Sequence, residues 1–177
     1  MKLLLNVTNP LYRDYFRYLF EEQSDGIFRI SRESDVGKFI CSFVRYSDRP
    51  VQQPKTEETL VLLLPNTDVL KDALYNHVYL SKTDQAQIND FLHVFFNIDL
   101  DRYYLKGIKQ RMRQKDIIES FIVSRKLTNL LQDNETLKKR LYREELAVLQ
   151  ERFESLRKRT WYRNQKIEFD PEKYLVK

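Results

Sequence analysis

Hydrophobic and polar positions change period several times along the chain, and each change marks an element. Residues 2–7 carry three leucines and a valine bounded by Thr8, Asn9 and Pro10, the pattern of a short buried strand. Asn9 as cap and Pro10 at the first turn open a helix, because proline's missing N–H costs nothing there. The pattern carries this helix to about Glu22, with Leu11, Tyr15, Tyr18 and Leu19 on one face. After Ser24, Asp25 and Gly26, residues 27–30 read as a second strand. Ser34 and Asp35 then precede Val36, Phe39, Ile40, Phe43 and Val44, whose spacing is a helical stripe. Residues 47–59 are polar, contain Pro50 and Pro54, and predict an exposed loop. Residues 60–64 are apolar on both faces and predict a central strand. A short helix near 68–75 and a brief strand at 77–80 complete the first part.

From Ser81 the pattern becomes helical throughout. Ser81 or Thr83 caps a segment in which Ile88, Phe91, Leu92, Phe95 and Phe96 share one stripe. The NIDLD stretch at 97–101 predicts a break. A further helix at 102–112 turns Tyr104, Leu105, Ile108 and Met112 inward, with Arg102, Lys106, Lys109 and Arg113 outward. The predicted fold class is α+β: a small N-terminal sheet and helix layer, followed by an all-helical C-terminal half with a long terminal helix. The two regions divide at residues 1–80 and 81–177. With three glycines in the whole chain, the junction is predicted to be tight.

Composition narrows the class of protein. A hydrophobic content of 42% over 177 residues is ample for a packed core and excludes a disordered chain. No apolar run approaches the roughly 20 residues that span a bilayer. Residues 2–7 lose their apolar character at Asn6 and lack a small-residue cleavage site, so a signal peptide is not expected and a cytoplasmic protein is. Cys41 stands alone within FICSFV and reads as a reduced, buried thiol. The formal charge of +5 is unevenly spread. Residues 102–166 hold 18 Lys and Arg against 8 Asp and Glu, a net of +10, while the remainder is at −5. Such a cationic segment points to nucleic acid or another polyanion, with a solvated helix face as the alternative.

Within that segment, Gln114, Asp116, Ile117, Val123, Ser124, Arg125 and Leu131 stand in a spacing that resembles the helix-turn-helix of bacterial transcription regulators. The resemblance implies that Ser124, Arg125, Lys126 and Asn129 face DNA, as residues after the turn do in that family. This sequence has Ile118 at the family's small position and Ile122 at its turn glycine, where a β-branched residue fits a left-handed turn badly. A second placement runs residues 116–126 as one helix that buries Ile117, Ile118, Phe121 and Ile122, and moves the turn to 127–132. Asp133 or Asn134 then caps a helix opening with Lys138, Lys139, Arg140 and Arg143, whose basic edge would meet DNA.

That last helix continues with Tyr142, Leu146, Leu149, Phe153 and Leu156 at alternating spacings of four and three, the seam of a heptad repeat. The seam serves either a homodimer or the protein's own core. Duplex DNA is the predicted partner, with no membrane and no cofactor. The residues expected to bind it are Arg113, Lys115, Arg125, Lys126, Lys138, Lys139, Arg140 and Arg143: most of them on phosphates, Arg125 or Arg140 on bases. The function this supports is a non-enzymatic DNA-binding regulator or accessory factor. A protein-interaction component built on the long helix is the alternative. Enzymatic readings have less behind them. His77 and His93 are isolated, with His93 inside FLHVFF reading as a core residue, and no glycine-rich phosphate loop or paired Cys/His spacing exists. Asp84, Asp90, Asp99 and Asp101 leave room for a metal-dependent nuclease.

Overall fold

The computed structural model describes residues 1–23, 25–65 and 77–127, and in the C-terminal part residues 137, 138, 141, 147–152, 154 and 155. Strand β1 (Lys2–Asn6) leads to helix α1 (Pro10–Leu19), β2 (Ile27–Arg29), α2 (Asp35–Ser42), β3 (Arg45–Ser47), β4 (Thr59–Leu63) and β5 (His77–Tyr79). Helices α3 (Lys82–Lys109) and α4 (Gln114–Ser124) follow. The architecture is α+β, with small sheets in the N-terminal part and helices after them.

β4 is the central strand of a three-stranded sheet, as its two apolar faces predict: β1 pairs with it antiparallel and β2 parallel. β3 and β5 form a separate antiparallel pair. β3 lies where a helix end and a polar loop were expected. Its strand character comes from pairing with a segment 30 to 34 residues away, which leaves no local signal.

Caps explain where the helices begin. The Asn9 side chain accepts from the Leu11 N–H at 2.9 Å, with Pro10 in the first turn. Ser34 accepts from Gly37 N–H at 3.0 Å. Ser81 and Asp84 make a reciprocal capping box: the Asp84 N–H donates to Ser81 Oγ at 3.1 Å, and the Ser81 N–H donates to Asp84 Oδ2 at 2.9 Å. α1 stops at Leu19 rather than near Glu22, because Phe20 turns extended and delivers its ring to Phe16 and the core.

The largest departure from the sequence pattern is α3. It runs unbroken for 28 residues, about 42 Å at helical rise, straight through the predicted break at 97–101. Ile88, Leu92, Phe96, Leu100 and Tyr104 recur every fourth residue and are all buried, so the apolar stripe never loses phase. The helix thereby serves two cores. Its first half packs Ile88 and Leu92 against Leu3, Leu5, Phe28 and Leu62 of the sheet, and Phe91 stacks on Phe39 of α2. Its second half packs Phe96, Leu100 and Tyr104 against Tyr15 of α1 and against Ile117, Ile118, Phe121 and Ile122 of α4. Leu137, Leu141 and Leu149 join this second core. Each such buried side chain contributes about 1.5–3 kcal/mol, so the two clusters supply the main stabilisation.

Three smaller expectations also change. His93 is exposed and stacks on Tyr12 at 5.5 Å rather than lying in the core. Met112 is 38% exposed instead of facing inward. Cys41 is a free thiol, half-buried rather than fully enclosed. The helix expected near 68–75 lies outside the described residues.

Candidate nucleic-acid interface

α3 and α4 end alike. The Met112 N–H donates to the Gly107 carbonyl and the Arg111 N–H to that of Ile108, with Arg111 left-handed at φ 60°. At the next helix end, the Leu127 N–H donates to the Ile122 carbonyl and the Lys126 N–H to that of Val123, with Lys126 at φ 53°. Both are Schellman closures, and both place a cation where glycine is usual. The positive charge suits the negative end of each helix dipole.

The first closure folds the chain into a corner between α3 and α4, and the corner is packed tightly. A Cβ added to Gly107 would lie 2.5 Å from Ile117 Cγ1 and 2.7 Å from its Cδ1. Close approach of the two backbones turns the polar residues outward. Arg102, Lys106 and Lys109 lie along one face of α3, Arg111 sits in the turn, and Arg113 and Lys115 start α4. All six are exposed, and residues 102–115 contain no acid. Lys115 approaches Glu119, one turn along its own exposed face, at 3.7 Å.

Arg113 and Lys115, expected at the interface, are therefore together at this corner. Lys126 is exposed at the far end of α4, and Lys138 is half-buried. Lys139, Arg140, Arg143 and Asn129 lie outside the described residues, as do Tyr142, Leu146, Phe153 and Leu156 of the heptad seam. Leu149 of that seam is fully buried within the second core of its own chain. Of the two helix placements, the described residues bear on the second only through its first helix, which ends at Ser124 rather than at 126; the turn at 128–132 and the cap at Asp133 or Asn134 lie outside them. α4 passes through Ile122 as regular helix and buries Ile117, Ile118, Phe121 and Ile122, so no turn forms where the bacterial pattern would need one.

Arg125 departs from its expected role. Its Nε donates to Asp99 Oδ2 at 2.8 Å and its Nη2 to Asp99 Oδ1 at 3.0 Å, a bidentate pair. The guanidinium also lies over the rings of Tyr18, Phe121 and Tyr103 at 4.8, 5.3 and 5.4 Å. The Tyr15 hydroxyl donates to the same Asp99 Oδ2 at 3.0 Å. The hydrogen bond to Asp99 raises the affinity of Arg125 for its proton, and burial followed by the Asp99 charge pushes the Tyr15 hydroxyl far above its ordinary pKa. Asp99 thus ties α1, α3 and α4 together. That bond explains why an aspartate in mid-helix does not break α3.

Asp84 has a structural partner too. Asp84 is buried and takes two hydrogen bonds from Arg45, at 2.6 and 2.9 Å, beside its capping bond. Arg45, with help from Ser81, holds the Asp84 carboxyl well below the usual carboxylate range, against the opposing effect of burial. Among the described residues no three His, Cys, Asp or Glu side chains group as metal ligands. No helix among them is long and apolar enough to cross a membrane.

Sequence reasoning placed Arg102, Lys106 and Lys109 on an outer face without assigning them to the interface, and passed over Arg111. The signal that finds them is the absence of acids between Asp101 and Asp116, which makes the stretch a single cationic surface once the chain turns. No family model, characterised protein or solved structure matches this chain.

Proposed function

We propose that this chain is a non-enzymatic, cytoplasmic DNA-binding protein, a regulator or accessory factor, that docks on duplex DNA through the corner between α3 and α4. The observation that carries the proposal is the acid-free run at 102–115, whose six cations are all exposed on adjoining helix ends. Clustered exposed cations release the counterions condensed on DNA, and that release is the main driving force for association with phosphates. Residues 1–101, which precede the run, hold 11 Lys and Arg against 15 Asp and Glu, a net of −4, and this asymmetry favours approach to DNA by the basic end.

Titration of labelled duplex DNA at several salt concentrations tests the proposal. If all six cations meet phosphates, log K falls against log salt with a slope of about −5. Replacing Lys106, Lys109 and Arg113 by alanine reduces that slope by about 2.7. Absence of binding at low salt ends the DNA reading and leaves the basic corner as a solvated face.

A further inference from the structure

We infer that the corner holds the sugar-phosphate backbone of duplex DNA and leaves the bases unread, an inference that rests on the DNA-binding reading above. Base readout needs a forked or hydrogen-bonding side chain carried into a groove by a slender element. At the corner the element that could enter a groove is α4, the first helix of the resemblance, with Arg125 just past its end; the helix expected to carry Arg140 lies outside the described residues.

Both parts are otherwise engaged. The Arg125 side chain is only 17% exposed, its Nε and Nη2 are spent on Asp99, its Nη1 donates to Ser124 Oγ at 3.3 Å, and three aromatic rings lie against it. Ser124, next to it, spends its hydroxyl on the Phe121 carbonyl at 2.9 Å. Beyond its first turn, the outward face of α4 presents Glu119 and Val123, with Asp116 before them and Val123 66% exposed. Two carboxylates and an apolar side chain on that face would be driven between two phosphate strands if α4 entered a groove. The repulsion opposes entry.

The cations are arranged for the outside of a duplex. Arg102, Lys106 and Lys109 stand at i, i+4 and i+7 of α3, at axial steps of about 6 and 4.5 Å, a ridge that runs along a surface. Arg111 and Arg113 follow in the turn and Lys115 in the first turn of α4, all exposed. A row of positive charge along one exposed helix face follows a line of phosphates and carries no sequence information.

Selection of bound duplexes from a pool with randomised sequence, using the full chain at low salt, tests this. The expected result is retention of the pool with flat base frequencies after selection, and loss of retention in the Lys106→Ala, Lys109→Ala, Arg113→Ala triple variant. Enrichment of a defined motif by more than about tenfold per round overturns the backbone-only inference and leaves the DNA reading standing. Retention that the triple variant leaves unchanged also overturns it, because the contact then lies away from the corner. No retention at all sinks the DNA reading itself, and the inference with it.

Discussion

Arg125 and Asp99 are joined by two parallel hydrogen bonds, 2.8 and 3.0 Å long, across 26 residues of sequence, and the pair fixes the last turn of α4 against the middle of α3. Both side chains are about one-fifth exposed, so the pair sits between a surface bridge worth under about 1 kcal/mol and a buried one whose rupture costs about 3–5. Stacking on three rings moves it toward the second limit. Arg125→Ala is expected to lower unfolding free energy by about 2–3 kcal/mol in urea denaturation. Arg125→Lys recovers less than half, because an ammonium cannot make the planar fork. Equal stability of the lysine variant and the parent would show that charge alone matters there.

Asp84 makes stability depend on acid. Its carboxyl titrates below its unfolded value because Arg45 and Ser81 favour the ionised form. A depressed folded pKa gives stability that is complete above the unfolded value, about 3.9, and is lost as pH falls through that value toward the folded one. Unfolding free energy should therefore hold steady in this contribution down to about pH 5 and then fall. Arg45 is 54% exposed, so solvent screens part of the effect. Asp84→Asn should be less stable at neutral pH by about 1–2 kcal/mol and show a shallower fall below pH 5. A parallel pH profile in the variant would assign the acid sensitivity to other carboxylates.

Gly107 sets how closely α3 and α4 approach. Alanine is the better helix former by about 1 kcal/mol, yet its Cβ would press into Ile117 from 2.5 Å. Overpacking of this kind costs about 1–3 kcal/mol, so Gly107→Ala should lower the melting temperature despite the gain in propensity. Ile117→Val, made together with it, removes a methyl from the point of collision and should restore part of the loss. A stabilised single variant would mean that the helices part without penalty.

Much of this architecture was legible because its signals are local. Asn9 with Pro10, Ser34, and the Ser81 box announce helix starts within four residues, and the apolar faces of β4 announce a central strand. The continuity of α3 through Asn97, Asp99 and Asp101 was not legible. Read locally, these residues resemble a helix end, and the arginine that makes Asp99 tolerable stands 26 positions later. The same separation hid the state of Arg125: an arginine after a short helix looks available for DNA until its partner is known. The basic corner lay between these cases. Its charge was plain in the sequence, but its unity depends on the turn at Arg111, where a non-glycine residue takes a left-handed conformation that the sequence does not advertise.

Among the described residues no strand pairs with the outer edge of β1, with an alternating consequence. Leu64 N–H donates to the Met1 carbonyl and Val7 N–H to that of Glu58, so odd-numbered residues of β1 bond to β4 and even-numbered ones point away. Asn6 is taken up by Gln85 and Asn89 of α3, at 3.2 and 2.8 Å. Leu4 instead faces a groove of about 630 Å³ bordered by Val51, Gln53 and Tyr79. Hydrogen exchange should show Leu3 and Leu5 amides protected to near the global limit and the Leu4 amide faster by at least about tenfold. Equal protection of all three would place a hydrogen-bond acceptor over that edge.

The two left-handed cations separate stability from binding. A non-glycine residue in this conformation costs about 1–2 kcal/mol relative to right-handed backbone, and glycine removes most of that cost while adding entropy to the unfolded chain. Arg111→Gly and Lys126→Gly should therefore each raise unfolding free energy by up to about 1 kcal/mol, since both Schellman closures keep their hydrogen bonds. Their effects on DNA should differ. Arg111 lies within the cationic ridge, so its loss should make the salt slope shallower by about 0.9, whereas Lys126 stands at the opposite end of α4 and its loss should leave the slope unchanged. Denaturation and titration on the same two proteins read both quantities. If Arg111→Gly stabilises the fold and leaves binding intact, Arg111 belongs to the helix closure alone; if Lys126→Gly weakens binding as much as Arg111→Gly, the DNA runs along α4 rather than around the corner.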